Sequence, residues 1–214
     1  MADTVNLGDY DNVIFDYGGV IVNLEDDLAR KTLLSLGVSR WRMWRYRKRF
    51  RRLIREFIDG LRPTEGIVDN MLAAMGNGVT REQLQPFIDR LTGELPLSRL
   101  KMIERLRKTH KVFLLSNIND VLWENAKKDM ARFGYKPDDL FDHAFLSFEM
   151  KLAKPDVRIY QQVIAQSGID PARTVFFEDR NDNVESACRA GLHGVHVETN
   201  HLEAVLPADG KKHV

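Results

Sequence analysis

Residues 13–20, Val-Ile-Phe-Asp-Tyr-Gly-Gly-Val, decide the fold of this chain. The first three are apolar and β-branched or aromatic, which is typical of a short strand covered on both faces of a sheet. Comparable runs follow at 112–115, 144–146, 174–177 and 195–197. Segments with helical periodicity lie between the later runs, at 96–108, 120–133, 155–167 and 183–190. This alternation predicts an α/β fold: a doubly wound, Rossmann-like parallel sheet with helices on both faces.

The first crossover of this sheet is too long for a simple βαβ unit. Asp16 and Ser116 are 100 positions apart, whereas such a unit takes a little over about 30 residues. The surplus is predicted to form helices at 24–36, 40–61, 64–75 and 80–92, separated by Gly- and Pro-containing breaks. We therefore expect an α/β core domain of residues 1–22 and 94–214, interrupted by an all-helical cap domain of residues 23–93.

Length and composition narrow the class of protein. A chain of 214 residues with 43% hydrophobic residues fits one globular core with an insertion. The longest apolar run, 71–75, has five residues, against the roughly 18–20 of a membrane-spanning helix, so no membrane partner is expected. The first basic residue is Arg30, so no targeting leader is expected. A single cysteine, Cys188, excludes an intrachain disulfide and a multi-thiolate zinc site, and we expect a cytoplasmic location.

Charge is unevenly distributed despite a net charge of +1. Nine basic residues and no acidic one lie between Arg40 and Arg55, while the other 23 basic residues face 31 acidic ones, which leaves −8 outside this segment. Apolar residues at helical spacing from Phe50 to Leu61 predict an amphipathic cap helix with a solvated cationic face. Two functional interpretations stay open: a clamp for a second anionic group of a substrate, or a patch for nucleic acid or an acidic partner. Nucleic acid is not the partner that we expect.

Polar residues follow the predicted strands, at the sheet edge where parallel α/β folds bind ligands. They are Asp16, Tyr17, Gly18, Ser116, Asn117, Glu178, Asp179 and Asp182. Mg²⁺ prefers oxygen ligands, which the carboxylates of Asp16, Glu178 and Asp179 supply. Lys154 stands just before Pro155, which suits the first turn of a helix, so we expect its ammonium and that helix N-terminus to attract an anion together. A site that combines a metal, a lysine and a hydroxyl favours phosphate as the bound anion.

The order of these residues resembles the four motifs of the haloacid dehalogenase superfamily, in its phosphatase branch with a helical cap of the C1 type. The match spans residues 13–198, and its positions are Asp16 for the nucleophile, Ser116 for the hydroxyl, Lys154 for the motif lysine, Glu178 and Asp179 for the acidic metal motif, and Asp182 for its trailing acid. The resemblance implies a Mg²⁺ cofactor held by Asp16, Glu178, Asp179 and the backbone carbonyl of Gly18. It implies phosphate contacts from Ser116, Asn117 and the backbone at Tyr17 and Gly18. Asp182 would orient Lys154 or a water molecule at the metal.

The reaction implied by this resemblance is phosphomonoester hydrolysis in two in-line steps. Asp16 would attack phosphorus to form an aspartyl phosphate, which water would then hydrolyse. Lys154, Ser116 and the metal would spread the charge that develops on the equatorial oxygens.

Gly18 departs from the phosphatase pattern, in which a second aspartate two residues after the nucleophile protonates the leaving group and then activates water. Such an acid/base contributes about 10²–10⁴-fold in rate. The chain is similar here to a subgroup that includes bacterial α-D-glucose-1-phosphate phosphatases, which also carry glycine at this place. We therefore expect a small sugar phosphate as the substrate, with an anomeric phosphate as the first choice, because a hemiacetal oxygen leaves more readily than an ordinary alkoxide.

Two other functions are compatible with parts of this pattern: a dehalogenase and a binding module. Dehalogenases of the superfamily also lack the second aspartate, but they use no metal and carry no comparable acidic pair, so Glu178 and Asp179 argue against that activity. The alternative from another class is a catalytically weak binding module that uses the basic cap. Oligomeric state is not fixed by the sequence.

Overall fold

The computed structural model describes residues 5–25, 27–76 and 78–206. Five strands within them form one parallel sheet: β1 (Asn12–Phe15), β2 (Lys111–Ser116), β3 (His143–Leu146), β4 (Thr174–Glu178) and β5 (His193–His196). Their spatial order is β3-β2-β1-β4-β5, so the chain winds outward in both directions from β1. This arrangement confirms the predicted α/β fold class.

The first strand, β1, occupies the centre of the sheet. Phe15 lies in register with Leu114 of β2 and with Phe177 of β4, and all three side chains are fully buried. A strand with neighbours on both sides and helices on both faces meets no water, which accounts for its continuous apolar sequence. Since neighbouring parallel strands end at the same edge, the residues after β1, β2 and β4 are brought together there.

Four helices follow β1: α1 (Leu28–Ser35), α2 (Arg40–Asp59), α3 (Thr64–Met75) and α4 (Arg81–Arg90). The first begins four residues later than the expected start at residue 24, because Asn200 holds the backbone of Leu24 from both sides. The amide of Leu24 donates to Asn200 Oδ1 (2.7 Å), and Asn200 Nδ2 donates to the Leu24 carbonyl (3.1 Å). A residue held in this way is not available for the first turn of a helix.

The basic segment forms α2, and its two faces differ as its periodicity predicts. Phe50, Leu53 and Phe57 are buried in the same apolar cluster that extends to the sheet. Trp41 and Trp44 point outward with 65% and 63% of their surface exposed, beneath the guanidinium groups of neighbouring arginines. None of the helices in the described residues, α2 included, has the length and apolar character to cross a membrane.

The remaining helices surround the sheet: α5 (Leu97–Leu106), α6 (Asp120–Arg132), α7 (Pro137–Leu140), α8 (Ser147–Met150), α9 (Val157–Ser167) and α10 (Asn181–Arg189). The expectation for Lys154 was wrong in one respect. Helix α9 begins at Val157 with Asp156 as its N-cap, and the Asp156 side chain accepts a hydrogen bond from the Arg158 amide (3.0 Å). Pro155 therefore precedes the helix, and Lys154 does not stand at a helix N-terminus.

Candidate active site

The centre of the site is a buried ion cluster around Lys154. Its ammonium lies 2.7 Å from Asp16 Oδ1 and 2.7 Å from Glu178 Oε2, and it donates to the Leu115 carbonyl (2.9 Å). Asp16 follows β1, while Leu115 and Glu178 lie at the ends of β2 and β4. Asp16 continues the ladder of β1, because its amide donates to the Phe177 carbonyl (2.9 Å). The position of Asp16 is thus fixed by the backbone of the sheet.

Asp179 completes a group of three carboxylates with Asp16 and Glu178. One oxygen from each lies within 4.8 Å of the others. Burial and the nearby charge of Glu178 raise the pKa of Asp16 to about 7 and the pKa of Asp179 to about 6. Burial alone would lower the pKa of Lys154, but the carboxylates of Asp16 and Glu178 raise it above its ordinary value.

This donor set fits a hard divalent cation. Three carboxylates share a space in which Lys154 supplies one positive charge, so the cluster carries an excess of negative charge when ionised. Burial is the main cause of the raised pKa values of Asp16 and Asp179, and the neighbouring negative charge of Glu178 raises them further. Carboxylate oxygens are ligands that Mg²⁺ accepts, and three of them lie within 4.8 Å of one another here.

Gly19 limits the space beside the Asp179 carboxylate, and the sequence motifs alone did not indicate this role. Its φ is +75°, and a Cβ built on it would overlap the Asp179 carboxylate. The same carboxylate accepts a hydrogen bond from Thr199 Oγ1 (3.0 Å). Gly18, in contrast, has no left-handed φ, and its Cβ would meet the methyl groups of Leu24 at 3.6–3.7 Å. The turn after Asp16 therefore requires glycine at 19 but not at 18.

The predicted phosphate contacts divide into three kinds. Ser116 ends β2 with 2% of its surface exposed, beside the Lys154 cluster. Asn117 instead holds the Lys154 backbone: Asn117 Oδ1 accepts from the Lys154 amide (2.8 Å), and Asn117 Nδ2 donates to the Lys154 carbonyl (2.9 Å). The side chain of Tyr17 is buried in the apolar core, so only its backbone is available to a phosphate. The N-cap of α6 is Asn119.

Asp182 does not orient Lys154. Its carboxylate pairs with Arg180 (2.7 Å) on the exposed start of α10, and side chains of both residues are about half exposed, at 50% and 48%. Lys154 takes its contacts from Asp16, Glu178 and the Leu115 carbonyl instead. The expected role of Asp182 next to the lysine is therefore corrected, since the nearby guanidinium is the better partner for an exposed acid.

Asp59, the last residue of α2, joins the site from the cap. Asn117 Nδ2 donates to Asp59 Oδ1 (3.0 Å), and Ser147 Oγ donates to the Asp59 carbonyl (2.7 Å). Burial raises the pKa of the Asp59 carboxyl, while the hydrogen bond from Asn117 lowers it, and the result is a pKa above the ordinary value. The only sequence signal for this residue was an acid immediately before Gly60, at the end of a helix otherwise dominated by bases.

The fold and this cluster define a hydrolase with an α/β fold, in which a buried lysine lies among carboxylates at the ends of the central strands. The chain belongs to the haloacid dehalogenase-like hydrolase family, whose model matches residues 10–191. The resemblance seen in the sequence motifs is thereby confirmed.

Three relatives illustrate the similarity. The D-ribitol-5-phosphate phosphatase of Bacteroides thetaiotaomicron is 27% identical over 184 residues, which cover 85% of this chain and 88% of that protein. A haloacid dehalogenase family enzyme of the same organism, solved with magnesium and inorganic phosphate, has a TM-score of 0.78 at 27% identity and covers 89% of this chain and 95% of its own. A predicted hydrolase of the same family from Porphyromonas gingivalis has a TM-score of 0.75 at 25% identity, covering 91% and 94%.

Proposed function

We propose that this protein is a Mg²⁺-dependent phosphomonoester hydrolase. The observation that carries the proposal is the Lys154 ammonium at 2.7 Å from both Asp16 and Glu178, with Asp179 completing a set of carboxylates within 4.8 Å. The names and bound ligands of the relatives support it, since one is a phosphatase and another holds magnesium and phosphate.

The residues divide into two functional groups in this proposal. Asp16 attacks phosphorus through one of its carboxylate oxygens, and Lys154 neutralises the phosphate while keeping Asp16 oriented. Ser116 and the backbone at Tyr17 and Gly18 hold the equatorial oxygens. The metal ligands are Asp16, Glu178, Asp179 and the Gly18 carbonyl. When bound, Mg²⁺ supplies Lewis acidity that draws negative charge from the transferred phosphoryl group.

The substrate in this proposal is a small sugar phosphate or phosphorylated polyol. Support comes from the relative that acts on D-ribitol 5-phosphate. An anomeric phosphate remains part of the proposal because Gly18 has no side chain to protonate a basic leaving group. Comparing an anomeric with a primary phosphate of the same sugar separates the two substrate types.

The test is release of phosphate from a panel of esters with and without Mg²⁺, by the wild type and by Asp16→Asn. We expect turnover by the wild type alone, and only with the metal. Glu185→Gln is the matched control, because Glu185 is an exposed acid on α10. Equal phosphate release by wild type and Asp16→Asn would refute the proposal, as would a wild-type rate that chelation of Mg²⁺ leaves unchanged.

A binding module that uses α2 is the second candidate function. The observation in its favour is the outward face of that helix, where Trp41 and Trp44 are exposed among arginines. Binding to single-stranded DNA at about 50 and about 200 mM salt tests it, because neutralised phosphates release counterions and give a steep salt dependence. Tight, salt-sensitive binding together with no phosphatase activity would favour this function over the enzyme.

A further inference from the structure

Position 18, two residues after Asp16, has no side chain that could donate a proton to a leaving group, because it is glycine. In phosphoryl transfer the attacking and leaving oxygens lie roughly in line, so a leaving oxygen departs on the side opposite the nucleophile. Asp16 follows β1 at the edge of the sheet, and the end of α2 contacts the loop after β2 at the same edge: Asn119 Nδ2 donates to the Phe57 carbonyl (2.6 Å) and Asn117 Nδ2 donates to Asp59 Oδ1 (3.0 Å). The leaving oxygen therefore faces the cap, and Gly18 offers it no side chain.

We propose that Asp59, on the cap, is the general acid and base of the reaction, in the role that Gly18 leaves unfilled. This inference rests on the proposed phosphatase function. In this proposal α2 has two roles: it packs against the core and it contributes a catalytic residue.

Contacts with the core fix the position of Asp59. Its carboxylate oxygen is 3.0 Å from Asn117 Nδ2, and the same amide brackets the backbone of Lys154, whose ammonium is 2.7 Å from Asp16. Three contacts thus connect the cap acid with the nucleophile. The following residue, Gly60, approaches the core so closely that a Cβ would lie 2.7 Å from the Ile118 carbonyl. The end of α2 therefore packs directly against the loop that follows β2.

The charges around Asp59 come from three elements of the site. Arg55 lies on its own helix, Lys154 precedes α9 and Arg180 follows β4, and all three lower the pKa of Asp59. Burial outweighs them and raises the pKa above that of a free aspartate. A raised pKa is suitable for a group that must hold a proton in one step and remove one in the next.

The proton balance of the two steps is as follows. In the first, an Asp16 oxygen bonds to phosphorus, the bond from phosphorus to the ester oxygen breaks, and that oxygen takes the proton of the Asp59 carboxyl to leave as an alcohol. In the second, the Asp59 carboxylate removes a proton from water as the water oxygen bonds to phosphorus. The Asp16–phosphorus bond breaks, inorganic phosphate leaves, and Asp59 is again protonated.

The experiment compares wild type with Asp59→Asn on two esters in the presence of Mg²⁺. With D-ribitol 5-phosphate, whose leaving oxygen needs a proton, we expect the rate of Asp59→Asn to fall by about 10²–10⁴-fold. With p-nitrophenyl phosphate, whose leaving group needs none, we expect a rapid burst of about one equivalent of nitrophenolate followed by slow turnover, because only the second step has lost its base. A merely structural role would slow both esters alike and give no burst.

Glu56→Gln is the matched control, because Glu56 is an acid on the same helix whose carboxylate pairs with Arg52 and Arg62. We expect it to behave as wild type on both esters. The double variant Gly18→Asp/Asp59→Asn adds an acid at the usual position, where the backbone and the space at Leu24 accept a side chain, and it should recover most of the lost rate.

Two outcomes overturn the inference. One is an Asp59→Asn protein that folds normally and retains the wild-type rate with D-ribitol 5-phosphate or another alkyl phosphate that the wild type accepts. The other needs no change at Asp59: a gain of about 10²-fold or more in alkyl phosphate turnover from Gly18→Asp would mean that the wild type has no acid in this role. A wild type inactive on every ester with Mg²⁺ would instead refute the phosphatase function itself, and this inference with it.

Discussion

Gly19 determines where the Asp179 carboxylate can lie. Its φ of +75° disfavours any side chain, and the space a Cβ would need is filled by Asp179. We expect Gly19→Ala to displace that carboxylate and to weaken Mg²⁺ binding by about tenfold or more, measured by isothermal titration with Mg²⁺.

Gly18→Ala is the matched control for this substitution. It adds the same methyl group one residue earlier, where φ is not left-handed and the nearest atoms are 3.6 Å away. We expect its Mg²⁺ affinity to stay within about twofold of wild type. If both alanine variants bind Mg²⁺ equally well, Gly19 does not shape the metal site.

The residues of the site differ in how far the sequence could predict them. Asp16 and Glu178 were predictable as neighbours because the ends of parallel strands share one edge of the sheet. Lys154 was placed beside them by the resemblance, while its expected position at a helix N-terminus was wrong. Asp59 was not predictable, because its contact with Asn117 joins positions 58 residues apart and depends on how the cap seats on the core.

At the scale of the element, the types of the helices and strands were predictable but some of their ends were not. The start of α1 depends on the hydrogen bonds between Asn200 and the backbone of Leu24. These residues are 176 positions apart, so helical periodicity contains no information about their contact. Periodicity also does not show whether α9 begins at Pro155 or after Asp156. The hydrogen bond from the Arg158 amide to the Asp156 side chain determines that Asp156 is the N-cap. Long-range contacts and capping geometry override the local pattern at these places.

The length of α2 limits which of its arginines can act on a substrate. At about 1.5 Å per residue, Arg45 lies about 21 Å along the helix axis from Asp59, and Arg55 lies about 6 Å from it. A clamp formed by Arg45 would therefore have to reach across about four turns of helix. Arg55, one turn before Asp59 on the same helix, is near enough for its charge to lower the pKa of Asp59, and it can attract a phosphate dianion.

We expect Arg55→Ala to raise the KM for phosphate esters about two- to fivefold, with a smaller effect at high salt, since an exposed charge contributes about 1 kcal/mol or less. Arg45→Ala should leave the KM unchanged, because its guanidinium lies over the Trp41 ring at the far end of the helix. Steady-state kinetics at two ionic strengths measure both. An equal rise in KM for Arg45→Ala and Arg55→Ala would contradict this prediction. It would indicate that the whole basic face of α2 binds an anionic group of the substrate.

At the scale of the whole molecule, the acidic cluster couples the stability of the fold to pH and to the metal. Folding takes Asp16 and Asp179 from ordinary aspartate pKa values to about 7 and about 6. Between about pH 4 and pH 7 the folded chain therefore binds more protons than the unfolded chain, so the free energy of unfolding falls as pH rises. The stability that protonation gives is present below pH 4 and is lost as pH rises through these raised values.

We expect the Tm of the metal-free protein to fall more steeply between pH 5 and pH 8 than that of Asp16→Asn, which cannot ionise at this position. The difference should reach several degrees, since each kcal/mol moves the Tm of a chain of this size by about 2–4 °C. Mg²⁺ binds the ionised carboxylates and competes with protons, so the gain in Tm from added Mg²⁺ should be larger at pH 8 than at pH 5. Thermal melts of wild type, Asp16→Asn and Glu185→Gln at both pH values, with and without Mg²⁺, measure these effects. Glu185→Gln should follow the wild type, and parallel curves for wild type and Asp16→Asn would mean that Asp16 ionises in the folded protein as it does in water.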